Sequence, residues 1–222
     1  MSTSHKLIKL KRSIFFSLMY LIVLQSCGST KDYYTLPAQV SEESFNAVIE
    51  IPAGTNKKYE YNPNQKEFIV DIENGNERVI DFLPYPANYG FIPSTLSKSD
   101  TGGDGDALDV LVVSETAATG TVLEILPIAI LKLIDDGEKD YKVIAVPKEK
   151  NKQIIRATTF AELTTNYPKL LNIVELWFLN YNPKDNSTIE GWGDEQEALN
   201  AIKLHKNKKG KPRNMERSIK GH

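Results

Sequence analysis

The sequence predicts an α+β domain in which strands form a sheet or small barrel and helices pack outside it. Three observations lead to this class. Short β-branched runs bounded by turn residues occupy residues 45–146, and helical periodicity begins only after residue 158. At 41% apolar and 25% charged residues over 222 positions, the composition is that of a folded chain with a sizeable core. No internal repeat is visible.

The N-terminus reads as a targeting segment. Lys6, Lys9, Lys11 and Arg12 precede an apolar run over residues 14–24 that only Ser17 interrupts, and residues 1–27 contain no acid. Eleven residues match the apolar region of a signal peptide and fall short of the roughly 20 needed to span a bilayer. Leu24-Gln25-Ser26-Cys27, followed by Gly28-Ser29-Thr30, resembles a bacterial lipobox, with Gln25 where a small or β-branched residue is usual. The resemblance implies a signal peptide over residues 1–26, lipidation of Cys27, export, and a membrane anchor on the periplasmic or outer face. An ordinary signal peptide or a cytoplasmic chain is the alternative. Residues 27–44, polar and containing Pro37, read as a tether.

Residues 45–51 (FNAVIEI) alternate and stop at Pro52-Ala53-Gly54, a strand and a turn. Residues 58–61 and 67–72 continue the strand pattern, and Asn74-Gly75-Asn76 marks the next turn. Residues 110–113, 122–133 and 141–146 are further β-branched runs. The last two flank Asp135-Asp136-Gly137-Glu138-Lys139, a hairpin connection. After Thr158-Thr159, a plausible N-cap, Leu163, Leu170, Leu171, Val174 and Phe178 form an apolar helical stripe, which Pro168 splits in two. Residues 194–206 read as a cleaner helix, acids first and lysines last, as the helix dipole favours. Residues 206–222 read as a basic, solvated tail.

The residue types that are missing narrow the chemistry. The three histidines are His5, His205 and His222 and the one cysteine is Cys27, so residues 28–204 hold neither imidazole nor thiol. A Ser-His-Asp hydrolase, a cysteine nucleophile, a zinc site of histidine or cysteine, and a disulfide framework are excluded there. The tail 203–222 carries eight basic groups against Glu216, leaving residues 28–202 with 15 basic and 28 acidic groups, a net of −13. A nucleic-acid binder would be basic where it folds; an acidic body suits a cationic partner.

The acids are clustered. Asp104, Asp106 and Asp109 fall within six residues, beside Gly102, Gly103 and Gly105 and ahead of a strand. Asp135, Asp136 and Asp140 form a second cluster across the hairpin turn, with Lys142 two residues beyond Asp140 and on the same strand face. Glu50 and the pair Lys58/Glu60 alternate so as to aim at one cavity. Like charges this close raise one another's pKa unless a cation compensates, and glycines let the backbone turn tightly enough for them to converge. Hard oxygen ligands in this number suit several Mg²⁺ ions, with Mn²⁺ as a substitute, better than zinc. A calcium EF-hand starting at Asp100 would need glutamate at position 111, which is Leu111, and a repeat-toxin turn would need aspartate at Ala107. No Walker loop is present. A solvated acidic loop is the bland reading; metal-dependent phosphate chemistry is the sharper one.

Asp104-Gly105-Asp106-Ala107-Leu108-Asp109-Val110-Leu111-Val112 closely resembles the D-G-D-P-x-D-V-L-V motif of the family I soluble inorganic pyrophosphatases. Val48–Pro52 is similar to that family's first strand, Lys58-Tyr59-Glu60 to its K-x-E pair, and Tyr85–Pro93 to its Y-P-x-N-Y-G segment. Leu131–Lys142, Trp177-Phe178 with Tyr181, and Glu190-Gly191-Trp192 also have counterparts, so the likeness spans residues 45–205. It implies a five-stranded barrel of oligonucleotide-binding-fold type with two main flanking helices, and a homo-oligomer, often a hexamer. It further implies hydrolysis of pyrophosphate to two orthophosphates. Direct Mg²⁺ ligands would be Asp104, Asp109, Asp135 and Asp140, with Glu50 and Glu60 acting mainly through water. Asp106 would be the general base, and Lys58, Arg78, Lys142, Tyr89 and Tyr181 would hold the phosphates; Tyr85 and Trp192 read as packing residues.

Two departures stand out. Asn182 follows Tyr181 where the family has lysine, leaving Lys184 as a possible substitute, and Arg78 lies one residue nearer Tyr85 than in the commonest bacterial pattern. Two other classes compete with the hydrolase: a non-catalytic, lipid-anchored metal- or phosphate-binding protein, and a hydrolase of another phosphoanhydride.

Overall fold

The computed structural model describes residues 31–206; the targeting segment, Cys27 and the tail from residue 207 lie outside the described residues. In chain order the strands are β1 (Phe45–Ile51), β2 (Tyr59–Asn62), β3 (Glu67–Val70), β4 (Ile72–Glu73), β5 (Asn76–Glu77) and β6 (Asn88–Phe91). They continue with β7 (Asp109–Val112), β8 (Val122–Asp135), β9 (Glu138–Lys139) and β10 (Lys142–Pro147). Helices α1 (Phe160–Asn166) and α2 (Pro168–Asn180) follow, then β11 (Thr188–Asp194) and helix α3 (Glu195–Leu204).

Five strands close on themselves. β1 pairs with β6, β6 with β7, β7 in parallel with β10, β10 with β8, and β8 returns to β1. The ring is the expected five-stranded barrel. The length of β8, 14 residues, makes closure possible: its start pairs with β1, its middle with β10 and its far half with β11. Pro127 has no N–H to give the ladder, and the β8–β10 register shifts by one residue beside it. At the β1–β6 seam the backbones approach so closely that a Cβ on Gly90 would stand 1.9 Å from the Val48 carbonyl oxygen, so only glycine fits.

Side-chain alternation divides the core between two faces. Leu111 and Ile144 pack with Leu163, Val174, Trp177 and Phe178 beneath α1 and α2, whereas Val110, Val112, Val143 and Ala145 pack with Ala198 and Ile202 of α3. Pro168 stands at the first turn of α2, where its missing N–H costs nothing, and it divides the apolar stripe as the sequence indicates.

Several expectations change. The segment 67–72 breaks into β3 and β4 at Asp71, and strands β6 and β11, hidden in segments rich in glycine and proline, were not expected. The order of strands first and helices last fails at β11, which lies between α2 and α3 and pairs with β8. The two longer helices, α2 and α3, are the expected main pair, and the seven-residue α1 precedes them. From Asp32 the supposed tether is packed: Tyr33–Thr35 forms a 3-10 turn, Tyr34 and Ala38 are buried, and the Asn46 N–H donates to the Ala38 carbonyl at 2.7 Å.

Candidate active site

Beside the barrel a cavity of about 160 Å³ gathers all twelve site residues that the sequence predicts in the described part of the chain. Its acidic wall begins at Glu50. The β1–β6 register shifts between Ile49 and Ile51, so Glu50 sits at a bulge, a feature that re-aims a side chain. Its Oε1 accepts the Tyr61 N–H at 2.7 Å, and burial pushes its pKa well up, with Glu60 and Asp109 adding to the shift.

The loop from Gly103 to Asp109 is built by its small residues. Gly105 has φ +87°, a backbone conformation that favours glycine, and its N–H donates to the Ser97 carbonyl at 2.7 Å. Asp104 Oδ1 accepts the Asp106 N–H at 2.9 Å, an Asx turn that fixes the loop from which both residues line the cavity. Burial, then Asp109, pushes the Asp104 carboxyl up to about 6.

Across the cavity, Lys142 at the start of β10 is buried and reaches both Asp109 and Asp140, with Nζ at 2.5 Å from an oxygen of each. Burial disfavours its charge, but the two carboxylates outweigh burial and its pKa moves well up. Tyr89 donates its O–H to Asp109 and accepts from Lys142 at 3.1 Å; burial and then Asp109 push the phenol far up, so it acts as a neutral donor. Asp135 ends β8 before a turn with positive φ at Asp136 and Gly137, and its Oδ1 accepts the Ser187 hydroxyl at 2.6 Å.

The cationic side holds Lys58 and Arg78. Lys58 Nζ lies 2.7 Å from Glu60 and 3.7 Å from Asp71, and Arg78 lies 3.5 Å from Asp71. Backbone bonds lock this group, since the Lys58 N–H donates to the Arg78 carbonyl and the Arg78 N–H to the Asp71 carbonyl. Burial works against the Lys58 ammonium, yet neighbouring Glu60 leaves its pKa raised. Asp71, the residue that splits the expected strand, is the anchor that the sequence reading missed, because Glu67-Phe68-Ile69-Val70-Asp71 carries no alternation that singles it out.

Tyr181 closes the end of α2, and its ring stacks on Trp177 at 4.8 Å and 11°. Tyr85 packs on the same indole at 4.6 Å as expected, and it lines the cavity as well. Trp192 is a packing residue whose Nε1–H donates to Glu175. Neither Asn182 nor Lys184 is among the lining residues; the Lys184 side chain is 70% exposed and lies 3.9 Å from Glu73. A further lining residue the sequence did not suggest is Tyr34, from ahead of β1.

Seven carboxylates face three cationic side chains in this cavity, a formal excess of four negative charges. Among the described residues no three carboxylates meet at one point, and the Lys142 ammonium fills the space between Asp109 and Asp140. An all-oxygen donor set with uncompensated charge and raised carboxyl pKa values fits hard divalent cations such as Mg²⁺. The remaining surface, rich in Lys, Arg and Tyr donors, fits the oxygens of a polyanion.

The comparisons agree with this geometry. The family model described as inorganic pyrophosphatase matches residues 47–209. An inorganic pyrophosphatase of Neisseria meningitidis serogroup B is 38% identical over 172 residues, covering 75% of this chain and 89% of that protein. The crystal structure of an inorganic pyrophosphatase from Neisseria gonorrhoeae superposes with TM-score 0.63 at 33% identity, covering 78% of this chain and 96% of that one. The corresponding enzyme structure from Thermus thermophilus gives TM-score 0.65 at 28% identity, covering 79% and 97%. With the matched region taking in the barrel but for Phe45 and Asn46, the three described helices and every lining residue except Tyr34, the chain belongs to the inorganic pyrophosphatase family.

Proposed function

We propose that the chain hydrolyses inorganic pyrophosphate to two orthophosphates by direct attack of water, with Mg²⁺ as cofactor. The observation that carries this reading is the pairing of Asp106 and its neighbouring carboxylates with Lys58, Arg78 and Lys142 in one cavity. Asp104, Asp109, Asp135 and Asp140 would hold the cations directly, and Glu50 and Glu60 would act mainly through water. When bound, Mg²⁺ acidifies water and screens the charge of the phosphates. Lys58, Arg78, Lys142, Tyr89 and Tyr181 bind the phosphate oxygens and orient the anhydride. Asp106 accepts the proton of the attacking water, and the cationic side chains stabilise the charge that grows on the departing phosphate. Lys184 lies outside the cavity, so the phosphate contact that the family's lysine would make from position 182 has no counterpart among the lining residues, and a raised KM is expected.

Phosphate release from pyrophosphate by the purified full chain tests the reading. Release that requires Mg²⁺ and is blocked by Ca²⁺ or fluoride supports it. No release at millimolar Mg²⁺, or preferential cleavage of polyphosphate or a nucleoside triphosphate in a substrate panel, overturns it.

The chain's address and assembly belong to the same reading. Cleavage before Cys27 and its lipidation would place the enzyme on the periplasmic or outer face of a membrane. An intact mass of the membrane fraction that shows Met1 and no lipid contradicts this. For self-association, the hexameric habit implied by the family motifs is supported by exposed Leu83, Ile173 and Leu176 on and beside α2. Light scattering on the detergent-solubilised chain measures it.

A further inference from the structure

The β2–β3 hairpin forms a two-stranded sheet of its own, separate from the ladders of the barrel. It nevertheless carries part of the site. Lys58 at its base and Glu60 in β2 both line the cavity, and the Tyr61 N–H holds Glu50. The Asp71 N–H closes the base by donating to the Lys58 carbonyl at 2.8 Å. Where Lys58 and Glu60 stand therefore depends on what seats the hairpin against the barrel.

Aromatic rings seat it, and one of them comes from ahead of the matched family region, which begins at residue 47. The Tyr33 ring meets Phe68 of β3 edge-on at 5.0 Å and Tyr61 of β2 at 5.2 Å. Phe68 and Tyr61 pack on each other at 5.2 Å. Beneath them lies Gly120, with φ +82°, whose N–H donates to the Ile49 carbonyl of β1 at 2.8 Å. A Cβ on Gly120 would come 3.1 Å from the Tyr33 hydroxyl oxygen and 3.2 Å from the Phe68 ring, so both rings reach down to the barrel backbone there. Tyr33 is not among the residues that line the cavity.

The segment that bears Tyr33 is itself fastened to the barrel. Asp32 caps its 3-10 turn by accepting the Tyr34 N–H at 3.2 Å. The Tyr34 carbonyl accepts the Ser94 N–H at 3.0 Å, and the Leu36 carbonyl accepts the Ser94 hydroxyl at 2.8 Å. Ser94 holds φ +52°, an uncommon conformation for a residue with a side chain. Asn46 of β1 donates from its backbone N–H to the Ala38 carbonyl at 2.7 Å and from its side-chain amide to the Pro37 carbonyl at 2.9 Å.

We propose that Tyr33 is a positioning residue: through its ring, residues 32–38 clamp the β2–β3 hairpin onto the barrel and hold Lys58 where it meets the phosphates. A chain whose hairpin is partly unseated must reseat it to bind pyrophosphate. Its apparent affinity falls with the seated fraction, and saturating substrate restores the seated form. Residues 32–38 are then part of the working enzyme and not a passive tether. Because Lys58 meets phosphate only in the proposed pyrophosphate hydrolysis, the role of Tyr33 rests on that reading, and the test separates the two.

In the full chain, Tyr33→Ala is expected to raise KM for pyrophosphate roughly three- to tenfold at saturating Mg²⁺, the effect of one aromatic pair. The kcat value stays within about twofold of wild type, since substrate reseats the hairpin. Tyr33→Phe keeps the ring and restores KM. In a Lys58→Met background Tyr33→Ala adds no further rise, because the group it positions is gone. Hydrogen exchange of the chain without substrate should quicken at residues 59–70 and stay unchanged in β1, β6 and β7. Wild-type KM in Tyr33→Ala, an equal loss in Tyr33→Phe, an equal rise in both backgrounds, or exchange that quickens across the barrel overturns the proposal. If Tyr33→Ala does not fold, Tyr33→Leu keeps apolar bulk and carries the same expectation. Failure of both to fold also overturns it, since the segment would then support the whole domain. A wild-type chain that does not hydrolyse pyrophosphate, with quickened exchange confined to residues 59–70 in Tyr33→Ala, overturns the functional reading and leaves the clamp standing.

Discussion

The Lys142 ammonium stands 2.5 Å from Asp109 and occupies the space between it and Asp140, so the protein places its own cation between two carboxylates of the acidic wall. The Lys142 side chain is only 4% exposed, and its removal leaves two half-buried carboxylates facing each other. Lys142→Met is expected to cost the metal-free chain about 3 kcal/mol, the order seen when one partner of a buried ion pair is deleted. Mg²⁺ should restore most of that stability, because a divalent ion can take over the charge compensation. Urea unfolding with chelator and with Mg²⁺ checks this; equal losses in both conditions would show that Lys142 acts through packing. Turnover should remain low with Mg²⁺, since the phosphate contact is still missing.

Asp106→Asn keeps the shape of the side chain and removes its basicity. Turnover is expected to fall about 10²- to 10⁴-fold, the range for losing a general base. The bond that Asp104 accepts comes from the backbone N–H of this residue, which the substitution leaves in place, so the melting temperature should hold. Steady-state kinetics beside a thermal melt makes the comparison, and near-normal kcat would remove Asp106 from the role of base.

Asp104 carries a pH signature. Its carboxyl is pushed from 3.8 up to about 6 by burial and by Asp109. A folded-state pKa above the unfolded one means that the folded, metal-free chain binds the extra proton between those values. Ionised Asp104 therefore destabilises the metal-free chain above pH 6, and acidification through that range relieves the penalty. Mg²⁺ competes with the same proton, so its affinity should be about fourfold weaker at pH 5.5 than at pH 8. Calorimetric titrations at the two values measure the difference; equal affinities would place the ion away from Asp104.

The site was more legible in the sequence than the fold around it. Asp104, Asp106 and Asp109 betray themselves by like charges packed among glycines, a pattern that ordinary solvated loops do not need. Strand β6 carried no such signal, because its residues Asn88–Phe91 lie among proline and glycine and owe their strand to pairing with β1 and β7. Tyr34 was hidden for a related reason. A tyrosine in a polar stretch becomes a lining residue only through contacts with Phe91 and Ser94, some 60 positions away. Asp71 likewise gains its meaning from Lys58 and Arg78.

Gly90 tests the barrel seam that carries Glu50. Alanine there would bring its Cβ to 1.9 Å from the Val48 carbonyl oxygen and 3.0 Å from the Glu50 nitrogen, and neither backbone atom can move aside as a side chain would. The β1–β6 seam must open, which breaks the ring of five strands and shifts the bulge that aims Glu50. Gly90→Ala is expected to cost about 3 kcal/mol or more, at the upper end for overpacked sites. Gly137→Ala, in a turn with nothing within 4 Å of the added methyl, provides the control, since it bears only the cost of a positive φ of +85°. Denaturant midpoints rank the two. If Gly90→Ala is the milder change, the seam has room that the barrel geometry denies it, and Glu50 is not held by close backbone approach.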